Sequence, residues 1–291
     1  LVPAVKAPAV DQPAGGEERE DDMRRAVLCA LFLASGCVRE NAPPAESPSG
    51  LDLASAKLVD LSYAYDESTL YWPTSPTSFE LTELARGTAE GGYFYSSYSF
   101  CTPEHGGTHL DAPVHFSEAG RSAAEVPVRQ LVAPGIVIDM SEQAAQDPDA
   151  RLELSAVQEW ESRNGRIPEG AIVILRTGWG KRWSLGAKAF FGDDTPGDAS
   201  NLHFPGYGEE ATRFLVEERK VGALGVDSAS VDHGPSRDFP VHRIAAAHEI
   251  PNLENVARTE DLPERDFWVV ALPIKIGKGS GGPVRIVAIV P

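Results

Sequence analysis

His105-Gly106-Gly107-Thr108-His109-Leu110-Asp111-Ala112-Pro113-Val114-His115-Phe116 places three of the chain's seven histidines and an aspartate within eleven residues, with little around them that could serve as a core. Packing does not account for such a density. Imidazole nitrogen and carboxylate oxygen are the usual ligands of borderline divalent metals, and a site with few protein ligands keeps positions open for water and substrate. His109 and Asp111 are two apart, so an extended segment would project them from one face about 7 Å apart at the backbone. Side chains of that length can converge on one ion. His105 joins them only if the chain curls back, which Gly106 and Gly107 permit because neither carries a Cβ. Fully extended, His105 to His115 would span roughly 33 Å, so four groups cannot share one ion without bends, and Pro113 supplies a second break. His115 reads either as a further ligand or, with the better reach, as an acid/base group beside the ion.

On either side of this stretch the chain carries the patterns of an α/β domain. Residues 135–139 (Gly-Ile-Val-Ile-Asp) and 171–176 (Ala-Ile-Val-Ile-Leu-Arg) are continuous apolar runs, the pattern of strands covered on both faces. Between them residues 155–164 read as a helix, with Leu154, Val157 and Trp160 at helical spacing and Gly165 as the stop. A second helix is expected from Gly208 or Glu209 to Arg219, followed by a strand over 221–226. Residues 58–62 alternate in the manner of a first strand, and 93–100, aromatics mixed with serines, suit a strand on a half-buried surface. Two more strands, 267–273 and 284–290, are joined across the Gly-rich turn 277–282. Mixed in this order and without an internal repeat, these elements point to one α/β domain with a mixed sheet or barrel.

Several chemistries are excluded. A formal net charge of -17 argues against a nucleic-acid backbone as partner. No Gly-x-Gly-x-x-Gly stands between a strand and a helix, and the loop at 277–282 lacks the Lys-Ser/Thr ending of a phosphate-binding loop. Serine catalysis lacks a Gly-x-Ser-x-Gly elbow. Cys101 is followed by Thr-Pro rather than by a helix start that would lower its pKa, so a thiol nucleophile is disfavoured. At 291 residues the chain buries enough surface to need no disulfide staples.

The amino-terminal region reads as targeting sequence. Met23-Arg24-Arg25 opens a short apolar run that closes on Ala34-Ser35-Gly36-Cys37, the order of a secretory signal, and its ending resembles the lipobox of bacterial lipoproteins. The run is far too short to span a membrane. Residues 1–22, rich in Pro, Ala and Glu, read as translated upstream sequence, 23–37 as the signal with its lipobox, 38–56 as a flexible tether, and 57–291 as the folded domain. Export to the periplasm, with a possible lipid anchor to the membrane, is expected.

The quoted motif resembles the His-x-Gly-Thr-His-x-Asp-x-Pro-x-His-Phe signature of the cyclase family of metal-dependent hydrolases, whose members include bacterial kynurenine formamidase and isatin hydrolase. The similarity extends from residues 58–62 through Tyr71-Trp72-Pro73 to 271–276 and 279–285. It implies a swivelling β/β/α fold, assembled into homodimers or larger homo-oligomers. It makes His105, His109 and Asp111 ligands of a first metal and His115 the general acid/base. In the formamidase branch Asp111 would bridge to a second metal held by a later His and Glu, matched here by His242 in Phe239-Pro240-Val241-His242 and, twelve residues on, by Glu254 in Leu253-Glu254-Asn255. Trp72 resembles the residue that lines the substrate pocket. Branches of the family hold one or two divalent ions, Zn²⁺ or Mn²⁺ here. The chain departs from the small formamidases in an insertion containing residues 178–183 and 201–206, which is expected to reshape the pocket.

The implied reaction is hydrolysis of a C–N bond in a small, aromatic amide or cyclic amide, in the manner of an arylformamidase or isatin hydrolase. A divalent ion lowers the pKa of water and polarises a carbonyl, and His115 would carry the proton to the leaving nitrogen. The alternative is an exported lipoprotein that binds a metal or a small carboxylate without turnover. For the amino terminus, mass spectrometry of the protein expressed in bacteria should find cleavage before Cys37 and lipid on that cysteine. An uncleaved amino terminus in the soluble cytosolic fraction would contradict both export and anchoring.

Overall fold

Short segments that are apolar at every position and rich in β-branched residues suit strands with protein on both faces. The computed structural model, which describes residues 52–291, places both such runs side by side in one sheet. The upstream stretch, the signal with Cys37 and residues 38–51 of the tether expected from the sequence lie outside the described residues. In chain order the strands begin with β1 (Lys57–Asp60), β2 (Glu80–Thr88), β3 (Phe94–Cys101), β4 (His109–Asp111), β5 (Val132–Asp139) and β6 (Arg151–Leu152). They continue with β7 (Ile172–Arg176), β8 (Gly206–Tyr207), β9 (Ala223–Val226), β10 (Asn252–Glu254), β11 (Phe267–Pro273) and β12 (Gly281–Val290).

The main sheet runs β1-β12-β11-β5-β7-β9-β10-β4, and β4 pairs again with β12. Seven strands therefore close into a ring, with β1 added outside it. Neighbours from β5 through β7 and β9 to β10 are parallel, and the remaining pairs are antiparallel. This is the single mixed α/β domain, sheet closed to barrel, that the sequence implies. Side chains alternate across each strand. Leu110, Val137, Ile172, Ile174, Leu253, Val269 and Ile286 join one apolar cluster inside the ring. Ile136, Ile138, Val173, Leu175, Leu224 and Val226 join a second, beneath the helices Leu154–Asn164, Glu209–Arg213 and Pro240–Ala247. Burying each such side chain is worth about 1.5–3 kcal/mol, and the two-faced strands collect that on both sides.

The helix expected at 155–164 is Leu154–Asn164 and stops at Gly165, whose φ of 84° favours glycine. The helix expected from 209 is α-helical only to Arg213, and Phe214–Glu218 widens into a π-turn. A larger departure concerns residues 93–100. They do form β3, but it pairs with β2 in a separate two-stranded arm with no layer beneath it. The expected half-burial is therefore not met within one chain: Phe94 and Phe100 are 64% and 59% exposed. No helix among the described residues is long and apolar enough to cross a membrane.

Candidate metal centre

β4 lies between β10 and β12. Leu110 turns into the barrel, so His109 and Asp111 must turn outwards. By the same alternation β10 buries Leu253 inside and presents Asn252 and Glu254 outwards, and the antiparallel register sets Glu254 opposite His109. On the other flank Gly281 stands opposite Asp111. A Cβ on Gly281 would lie 2.6 Å from His105 Cε1, so the His105 ring occupies the room a side chain would need. Gly106 and Gly107 reverse the chain with φ of 149° and 59°, and a Cβ on either would strike the Tyr71 or Tyr65 ring at 2.2 and 2.6 Å.

His242 comes from another layer, the helix Pro240–Ala247. Phe239 enters that helix at φ 49°. Asp232 caps it, accepting from the Val241 and His242 N–H groups at 3.1 Å each. The same carboxylate lies 2.7 Å from His242 Nδ1, which leaves Nε2 to face Asp111.

The five predicted donors meet around Asp111. His105 Nδ1 lies 2.6 Å and His109 Nε2 3.2 Å from Asp111 Oδ1. His242 Nε2 lies 3.2 Å from Asp111 Oδ2 and 3.2 Å from Glu254 Oε1. Asp111 thus turns one oxygen to each of two donor groups, His105–His109–Asp111 and Asp111–His242–Glu254, within each of which the ligand atoms lie within 4.8 Å of one another. The remote nitrogen of His109 faces the Gly107 carbonyl at 3.0 Å, and the Asn255 side chain donates to that same oxygen at 2.7 Å.

The charges suit a cation. Asp111, Asp232 and Glu254 are all buried, and among the described residues no lysine or arginine pairs with any of them. Burial alone would discharge the imidazoles, but Asp111 and Glu254 outweigh it and hold His109 up at about 9. Burial is outweighed at His242 too, by hydrogen bonds to Asp111, Asp232 and Glu254 that raise it well above the usual histidine range. The histidines in turn overcome burial at Asp111 and hold its carboxyl well below the usual range. Buried carboxylates that demand this much positive charge, facing imidazole nitrogens in two groups of three, fit a divalent ion at either position.

His115 stands beside the donors. It ends the short 3-10 turn Pro113–His115 and stacks on His105 at 3.9 Å between ring centroids. It belongs to neither donor group. Its ring lines the cavity and is open to solvent on one side. Partial desolvation among the packed rings pushes its pKa down to about 4, and the neighbouring histidines reinforce the shift against Asp111.

A family model described as a putative cyclase matches residues 59–233, more than half of the chain. The chain belongs to the putative cyclase family. Isatin hydrolase of Roseibium aggregatum is 32% identical over 221 residues, which cover 73% of this chain and 81% of that protein. Kynurenine formamidase of Bacillus cereus is 26% identical over 238 residues, 81% of this chain and 98% of that protein. A solved isatin hydrolase bound to the product analogue thioisatinate has a TM-score of 0.74 at 28% identity, across 82% of this chain and 94% of that one. As a member of this family the chain is a metal-dependent amidohydrolase. The matched region ends before His242 and Glu254, so for this cyclase-family chain only the fold shows how that pair reaches Asp111.

The donors form the floor of a cavity of about 470 Å³. Leu70, Trp72, Pro76 and Phe191 line its apolar side. Trp72 is half-buried and meets Phe191 and Phe204 edge-on at 6.2 and 6.0 Å. The insertion packs as a cluster of its own, Trp179, Phe190, Phe191, Leu202 and Phe204, against which Trp72 rests, and Phe191 from it lines the cavity. Cys101 is exposed at the end of the arm and does not line this cavity. Sequence reasoning missed Asp232, Asn255 and Phe191. Only Phe191 carried a local signal, an aromatic pair within the insertion.

Proposed function

We propose that this chain cleaves the C–N bond of a small aromatic amide or cyclic amide, as an arylformamidase or isatin hydrolase does, using Zn²⁺ or Mn²⁺. The observation that carries this reading is the division of Asp111 between two donor groups at the floor of a cavity whose opposite side is aromatic. His105, His109 and Asp111 would hold the first ion, and Asp111, His242 and Glu254 the second. Bound there, a divalent ion polarises a carbonyl and lowers the pKa of water towards about 7.

The remaining steps fall to the chain's own side chains. With its pKa pushed down to about 4, His115 is neutral near pH 7, and as a weak base it holds a proton only in passing, which suits handing it on to a leaving group. It lies beside the donors rather than among them, so both ring nitrogens stay available to take that proton and pass it to the leaving nitrogen. Such a group contributes about 10²–10⁴ in rate. Trp72 and Phe191 offer the aryl body of the substrate a flat apolar wall. Asn255 also lines the cavity and holds its Oδ1 buried without a hydrogen-bond partner. The names of the relatives, isatin hydrolase and kynurenine formamidase, support the same bond type. A non-catalytic binding lipoprotein draws no support from them, and pure binding has no use for an imidazole stacked on a ligand histidine.

Elemental analysis at saturating supply should find two equivalents of Zn²⁺ or Mn²⁺ per chain. Glu254→Gln, which removes charge and keeps shape, should lower that to about one and cut turnover. One equivalent in the native protein, with Glu254→Gln unchanged in metal and rate, would return His242 and Glu254 to a supporting role. Assayed on N-formyl anilines, lactams and cyclic imides, His115→Ala should keep its metal and lose about a hundredfold or more in turnover. If that variant arrives metal-free, His115 is a ligand; if no member of the panel is cleaved by the native enzyme, the proposed bond type is wrong.

A further inference from the structure

The glycine-rich turn between β11 and β12 has a use that its sequence does not announce. Ser280 sits between Gly279 and Gly281, and side chains on those glycines would collide with Glu104 Oε1 and His105 Cε1, each at 2.6 Å. The turn is bare so that Glu104 and His105 can both close on Ser280. The Ser280 N–H and Oγ–H both donate to Glu104 Oε2, at 2.9 and 2.7 Å. A serine hydroxyl carries one proton. Because that proton is committed to Glu104, Ser280 Oγ can meet His105 Nε2, 2.8 Å away, only as an acceptor. His105 must then carry hydrogen on Nε2, which turns Nδ1 towards Asp111 and the first donor group.

From this we infer that Glu104 and Ser280 are positioning residues, a carboxylate–hydroxyl relay that fixes the tautomer and orientation of His105 so that Nδ1 is its metal-binding nitrogen. The inference rests on the metal reading proposed above and adds to it the selection of the ligating atom. His105 is the member that most needs such a tether. Its side chain is 27% exposed, whereas those of His109 and His242 are 4% and 5% exposed and are held by a backbone carbonyl and by Asp232. Outer partners of this kind typically change metal affinity by about 10–100-fold.

The test uses the full chain loaded with Zn²⁺. Long-range ¹H–¹⁵N correlation spectra of the wild type should show His105 protonated on Nε2, and an Nδ1–H tautomer overturns the inference whatever the variants do. Ser280→Ala and Glu104→Ala should each weaken the equivalent of Zn²⁺ bound at His105, His109 and Asp111 by 10–100-fold and leave the other equivalent unchanged. Glu104→Gln, whose carbonyl oxygen can still accept both Ser280 protons, should restore affinity. Zn²⁺ affinity within twofold of wild type in both alanine variants also overturns the inference, while leaving the metal reading intact. A wild type that binds no Zn²⁺ sinks both. Should an alanine variant fail to fold, the wild-type tautomer decides alone.

Discussion

Asp111 is a carboxylate at 2% exposure that faces three imidazoles and no lysine or arginine among the described residues. Taking such a charge out of water costs several kcal/mol unless opposite charge and hydrogen bonds meet it on all sides. Much of the surrounding architecture can be understood as meeting that demand. One oxygen looks towards His105 and His109, the other towards His242, and Glu254 closes the second group. Asp232 supports His242, the Gly107 carbonyl supports His109, and Ser280 with Glu104 supports His105.

The barrel makes this arrangement rigid. A one-residue slip of β4 against β10 would exchange Leu110 with His109 or Asp111 and bury a ligand in the apolar interior. Closure of the ring forbids that slip, because β4 is also registered against β12, where Gly281 must stand opposite Asp111 to admit the His105 ring. The same two pairings that complete the fold therefore set the distances of the site.

Strands β5, β7, β11 and β12 were legible because their apolar runs are long and bounded by turns. β4 and β10 were not, since three-residue strands with one leucine between two polar residues are too short to show a hydrophobic period. β2 was hidden for another reason: exposed along nearly its whole length, it has no buried face to impose alternation. Within the site, the cluster from His105 to His115 stood out by density alone. Its meeting with His242 and Glu254 depends on pairing β4 with a strand more than 130 residues away, and that was reached only through family resemblance. Asp232, Ser280 and Glu104 gave no signal, because ordinary acids and serines gain meaning here only from what the fold sets against them.

The insertion sets an apolar wall beside a polar floor. Phe191 and Phe204 brace Trp72, so the width of the apolar side is set by residues far from the donors in sequence. The claim on which everything else rests is that one carboxylate serves both donor groups. Replacing it with its neutral isostere, Asp111→Asn, and counting Zn²⁺ per chain by elemental analysis tests this most directly. A shared Asp111 requires both equivalents to be lost or severely weakened together, with turnover abolished. A variant that folds, retains both equivalents and still turns over substrate would contradict it.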